Sequence, residues 1–177
     1  MDIKRDILPL KDTMYRLALR ITLNSQEAED VVQDVIIKVW KQSQSESFDD
    51  TIENLQAYLL RLTRNLAIDR QRLKVNQLES LDAIVEAGHQ GNVTSLMTES
   101  SERSLANAER LTLVRSIMET LPEKQRTAMQ LRDFEGKTYK EIASIMEISE
   151  EQVKVSIFRA RQTVKAKLSR REDSDGF

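Results

Sequence analysis

The side chains of this chain best placed to act on a partner are cations rather than nucleophiles. The segment EEQVKVSIFRARQTVKAKLSRR sets Lys154, Arg159, Arg161, Lys165, Lys167, Arg170 and Arg171 against only Glu150 and Glu151. A second excess lies in RLTRNLAIDRQRLK, where Arg61, Arg64, Arg70, Arg72 and Lys74 stand against Asp69. Cations at this density neutralise phosphates, and with Gln152 and Ser156 among them they also reach base edges. Covalent chemistry has little to work with. The chain has no Cys, its one His is His89, and no Gly-rich loop could cradle a phosphate. No catalytic, metal or cofactor site is expected, and the chain does not read as an enzyme.

A basic run is ordinarily just a solvated helix face, so the surrounding elements must decide. The whole chain of 177 residues carries a net charge of -2. Residues 1–77 are balanced, 78–110 hold two basic and six acidic side chains, and 111–177 are slightly basic. Two basic segments are therefore separated by an acidic one. With 4 Gly and 2 Pro there is little punctuation for an all-β fold. No apolar run approaches the roughly eighteen residues needed to span a bilayer, and MDIKRDILPLKD has no signal-like core. A cytoplasmic protein without membrane insertion is the expectation.

Helical spacing recurs along the chain. It is found in MYRLALRITL and again in SQEAEDVVQDVIIKVWKQ, at Ala28, Val32, Val35, Ile36, Val39 and Trp40. It returns in NLQAYLLRLTRNLAIDRQRL at Leu55, Tyr58, Leu59, Leu62, Leu66 and Leu73. QSQSESFDD between them reads as a loop, and Asn24 or Ser25 as an N-cap. The Ser-, Thr- and Gly-rich stretch from about Leu81 to Asn107 reads as a linker. Beyond it, Pro122 suits a first helical position and Gly136 a helix end. Thr138 with Glu141, and Ser149 with Gln152, form two capping-box patterns eleven positions apart. That spacing leaves a helix of about two turns, a tight turn and a longer basic helix, which is a helix-turn-helix. Ile142, Ala143, Met146, Ile148, Val153, Ile157 and Ala160 supply its apolar face, and Gln152, Lys154, Ser156 and Arg159 its outward face.

At these residues a family likeness emerges. LPEKQRTAMQLRDFEGKTYKEIASIMEISEEQVKVSIFRARQTVKAKL resembles the promoter-binding C-terminal domain of sigma-70-type sigma factors, and the compact layout is similar to the extracytoplasmic-function (ECF) subfamily. AEDVVQDVIIKVW resembles the helix that docks on the polymerase clamp, and NLQAYLLRLTRNLAIDRQR the segment that recognises and opens the −10 element.

The resemblance implies an all-α fold: two small helical domains joined by a flexible linker, the C-terminal one containing the helix-turn-helix. Residues 1–80 would be the N-terminal domain, 81–106 the acidic linker, 107–171 the C-terminal domain and 172–177 a tail. It implies docking on core RNA polymerase through Asp30, Gln33, Asp34 and Ile37. Contact with the −10 region would come from Tyr58, Arg61, Arg64, Asn65, Arg70, Arg72 and Lys74. In the −35 major groove it implies Gln152, Lys154, Ser156 and Arg159, with Arg161 nearer the backbone. Its partners would be promoter DNA and core polymerase, at the clamp helices and flap region; an anti-sigma factor restrains many members. No cofactor is implied.

Three departures stand out. Tyr58 takes the place of the usual Trp, Glu147 that of a turn Gly, and KVS at 154–156 that of a basic-Ser-basic pattern. Two rival readings remain at this stage. One is an autonomous helix-turn-helix regulator that binds a two-fold symmetric site unaided. The other is a protein-interaction module that tolerates replacement of Lys154 and Arg159.

Overall fold

The computed structural model describes residues 3–44, 53–80 and 102–175, and among them the chain forms seven α-helices and no strand. A π-turn and a 3-10 turn at residues 3–10 lead into α1 (Lys11–Thr22). Then come α2 (Ser25–Gln42), α3 (Leu55–Ser80) and α4 (Glu102–Met118). α5 (Glu123–Met129) runs on through a π-turn at Gln130–Phe134, and α6 (Tyr139–Met146) and α7 (Glu150–Asp175) complete the chain. None of these helices is long and apolar enough to cross a membrane. Most of the expected linker, with His89, lies outside the described residues, as does most of the QSQSESFDD loop. Residues 102–107, expected within or next to the linker, are the first turns of α4.

Local signals account for the helix ends. The Asn24 side chain accepts the Glu27 N–H at 2.9 Å, capping α2. Thr138 and Glu141 exchange both capping-box bonds, at 2.8 and 3.2 Å, and Ser149 and Gln152 do the same at 3.1 Å each. Pro122 stands one position earlier than expected: it is the N-cap of α5, with ψ 145°, and Glu123 begins the helix. Gly136 adopts φ +67°, the left-handed conformation a Cβ disfavours. Glu147 does the same at φ 56° as the C-cap of α6, where the tight turn requires it. Replacing Glu147 by Gly is expected to raise stability by roughly 0.5–1 kcal/mol, visible as a higher urea midpoint, because a Cβ is strained there.

α1, α2 and α3 pack together around Met14, Leu17, Ile21, Val31, Val35, Leu59 and Leu60. The C-terminal helices join the same core: Ala128, Leu131, Ile142, Ile145, Met146, Val153 and Ile157 are continuous with it. α3 packs on α6, and α1 on α5. A smaller core of Ile117, Met118, Leu121, Met129, Ala160 and Val164 binds α4 to the far side of α7. Trp40, counted above with the apolar stripe of α2, is 48% exposed. It stands about 100° around the helix from Val39, beyond the narrow stripe of Ala28, Val31, Val32, Val35 and Val39. Leu73 is exposed too, since α3 outruns the helices it packs against.

Candidate nucleic-acid interface

α7 is presented by the short helix before it. The two capping boxes fix where α6 and α7 begin, Glu147 turns the chain between them, and Val153, Ile157, Ala160 and Val164 are buried. The opposite face is outward. Lys154 and Arg159 are exposed on it, and Arg159 makes no ion pair with any described residue. Lys154 lies 5.6 Å from the centre of the Tyr139 ring, a cation–π contact that leaves its charge available. Gln152 is exposed but engaged in its capping box, and Ser156 is half-buried at the flank of the apolar stripe. Arg161 donates from Nε and Nη2 to the two carboxylate oxygens of Asp133, so its charge is largely answered within the protein.

Two apolar residues occupy the middle of this face: Val155, 46% exposed, and Phe158, 61% exposed. Neither was counted among the candidates. Their positions three apart, directly opposite Val153, Ile157 and Ala160, were the available signal.

α3 divides its candidates between two faces. Tyr58, Arg61, Asn65 and Arg72 fall along one side at helical spacing. The Tyr58 hydroxyl donates to Gln42 at 2.9 Å, and Arg61 lies 5.7 Å from its ring centre. Arg72 is exposed. Arg70 and Lys74 project from the other side toward α2. Arg70 pairs with Asp34 at 2.5 Å, Glu27 at 3.1 Å and Asp30 at 3.6 Å, and Lys74 with Glu27 at 3.1 Å. Candidate docking acids thus meet candidate DNA cations within the free protein. Gln33 is exposed, and Ile37 and Trp40 are about half exposed on the same helix.

Arg64 and Asn65 face the C-terminal half. Arg64 is 8% exposed and donates from Nε and Nη2 to the two carboxylate oxygens of Glu123, each at 3.1 Å. Asn65 Nδ2 lies 3.5 Å from the Glu147 carboxylate. Beside them Arg16 of α1 donates to Glu135 at 2.8 and 2.9 Å. No group of three His, Asp or Glu side chains that could hold a metal occurs among the described residues.

Two families match the chain. Residues 7–75 match the family described as Sigma-70 region 2, and residues 111–170 that described as Sigma-70, region 4. The RNA polymerase sigma-H factor of Pseudomonas aeruginosa is 30% identical over 90% of this chain and 83% of its own length. The ECF RNA polymerase sigma-E factor of Escherichia coli is 31% identical over 81% of this chain and 75% of its own. The chain belongs to the ECF sigma factors of the sigma-70 family. In fold it is similar to the sigma factor RpoE of Bartonella quintana, solved in complex with the anti-sigma factor NepR. That likeness has a TM-score of 0.74 at 24% identity, over 95% of this chain and 97% of the other.

As an ECF sigma factor the protein directs RNA polymerase to initiate transcription at specific promoters, in a family of non-catalytic initiation factors. Its acid response follows from three carboxyls held below their ordinary pKa. Lys74 and then Arg70 lower Glu27, and the Thr138 backbone N–H lowers Glu141. Burial pushes Glu135 up, but the hydrogen bonds and charge of Arg16, with Gln130 and Lys137, outweigh it. Folding therefore favours the ionised carboxyls. The stability they contribute is present above the ordinary value of 4.5 and is lost as pH falls from there through the lowered values. A series of melts from neutral to strongly acid buffer is expected to show the midpoint dropping once the pH passes below the ordinary carboxyl value of 4.5, with a shallower drop in Glu135→Gln.

Proposed function

We propose that this sigma factor reads two promoter elements through the two faces just described, while docked on core polymerase. On α7, Lys154 and Arg159 carry the −35 contacts, with Val155 and Phe158 packing against thymine methyl groups between them. Ser156, Gln152 and Arg161 take supporting places at the flank, the cap and the DNA backbone. On α3, Tyr58 and Asn65 take the −10 bases: Tyr58 can stack, and the Asn65 amide offers a donor and an acceptor to an extruded base. Arg61, Arg64 and Arg72 neutralise the opened strand, joined by Arg70 and Lys74 once these are free of α2. Asp30, Gln33, Asp34, Ile37 and Trp40 form the docking face for the polymerase clamp. The N-terminal reading domain extends to about residue 80, and the C-terminal one begins with α4.

Each DNA surface is small and binds weakly alone. Held on one polymerase they act at high effective concentration and measure the spacing between the two elements. The polymerase supplies the chemistry and the sigma factor none. The protein works in the cytoplasm, and an anti-sigma factor is a fitting regulator, since the chain shares its fold with a sigma factor solved in such a complex.

The observation that carries the reading is the outward face of α7: exposed Lys154 and Arg159 on a helix braced by two capping boxes. Pull-down with purified core polymerase, followed by transcription of genomic fragments in vitro, tests it. Retention on core and initiation from a discrete set of fragments are expected. A chain that ignores core polymerase and binds its own two-fold symmetric sites would refute it.

A further inference from the structure

We infer that Arg20 of α1, Arg115 of α4 and Arg126 of α5 form a binding site for a phosphate dianion, either free or as the end group of a small phosphomonoester. None of the three belongs to the reading or docking faces, and the site does not depend on how those faces work.

Arg64 and Arg70, also withdrawn from solvent, each hold a carboxylate. The cluster at Arg20 has none. Arg20 is 7% and Arg126 4% exposed, Arg115 is half-buried, and the Nε of each is buried without a hydrogen-bond partner. A guanidinium carries five N–H donors. Among the described residues Arg20 and Arg115 make no hydrogen bond or ion pair, and Arg126 makes one bond, from Nη1 to the Glu119 carbonyl at 3.0 Å. Buried cations left in this way cost free energy that a ligand recovers by pairing with them.

The three guanidiniums come from three different helices. Burial first, and then the charge of Arg115, hold Arg20 below the ordinary arginine range, and Arg126 adds to the effect. The carboxylates nearby do not answer them. Glu123 is committed to Arg64 and to the Thr127 hydroxyl, and Glu119 is exposed and makes no ion pair with a described residue. Even with Glu119 set against them, the arginines keep an excess of about two positive charges, which matches a phosphomonoester dianion at neutral pH. The guanidinium fork suits phosphate oxygens, which it holds through parallel bonds. Arg115 also lies 5.9 Å from the centre of the Phe134 ring, a contact that steadies it while leaving its N–H edges free. A small anion fits better than a nucleic-acid strand, because guanidiniums this far withdrawn from solvent cannot follow a polymer backbone.

The test uses the full chain in phosphate-free buffer, titrated with sodium phosphate at an ionic strength held constant with sodium chloride. A saturable rise of about 5 °C in melting midpoint is expected, as for a ligand bound only by the folded state. Adenosine monophosphate is the second probe. A similar rise places a phosphomonoester in the site, and a rise with inorganic phosphate alone places the free ion there; either result supports it. Arg20→Met and Arg115→Gln are each expected to lose the rise, while Lys38→Gln, at an exposed cation on α2, keeps it. Without phosphate, Arg20→Met should melt no lower than the parent, since an apolar chain of similar volume replaces an unpaired buried charge. An Arg20→Met protein that melts lower and still shows the rise would mark a purely structural arginine and overturn the site. So would the absence of a saturable rise with either probe, or an equal rise in both arginine variants.

Discussion

Replacing Arg159 by Ala is expected to weaken promoter binding by the holoenzyme about ten- to a hundredfold while leaving the free protein as stable as before. Arg159 is exposed, lies on the outward side of α7 and makes no ion pair among the described residues, so truncation removes nothing from the fold. A guanidinium contacting a base edge in the major groove is worth about 1–3 kcal/mol of discrimination, hence the size of the loss. Companion variants sharpen the result. Phe158→Ala should lose affinity mainly on sites carrying thymine at the facing position. Lys154→Ala should likewise weaken binding to the cognate −35 sequence more than to a scrambled one. Ser156→Ala, at the half-buried flank, should change little. Fluorescence titration of holoenzyme on promoter duplex at several salt concentrations measures all four. Equal affinity for Arg159→Ala and the parent would show that α7 does not read DNA through this face.

Ile142→Ala is expected to cost about 2–5 kcal/mol of stability, a large part of the roughly 5–15 kcal/mol typical of a folded chain. Ile142 is fully buried on α6, in the core that the helix-turn-helix shares with α1, α2 and α3. Its truncation leaves a cavity where the two halves meet, so both should loosen together. Urea unfolding followed by helical circular dichroism is expected to show a lower midpoint. Ile37→Ala provides the contrast. At 49% exposure its removal should shift stability by no more than about 0.5 kcal/mol, yet retention on core polymerase should fall. If instead the folded Ile37→Ala variant bound polymerase as tightly as the parent, the docking face would lie elsewhere.

Much of the fold could be read without coordinates because its determinants are local. Asn24, Thr138, Ser149 and their N3 partners announce helix starts by bonding to backbone only three residues away. The apolar spacing of 142–160 likewise sets which side of α6 and α7 turns inward. Glu147 in a position suited to Gly marked the tight turn, and the chain does take a left-handed conformation there.

What escaped prediction is long-range. Trp40 matched the helical repeat of α2 yet projects outside it, because the width of the buried stripe depends on how closely α1 and α3 approach. Val155 and Phe158 read as ordinary apolar residues until the packed side of α7 was known, and their exposure then became the informative fact. Arg64, Arg70 and Lys74 read alike as phosphate-binding cations. Only the fold shows that Arg64 meets Glu123, 59 positions away, and that Arg70 meets Asp34, 36 positions away. The amino-acid sequence alone determined the helical repeats of the N-terminal half, the helix-turn-helix and its basic face, since hydrogen bonds within a turn and 3.6-residue repeats need no distant partner. The tertiary structure alone decided which cations are free and which are answered, because charge pairing across a seam depends on helices brought together from opposite ends of the chain.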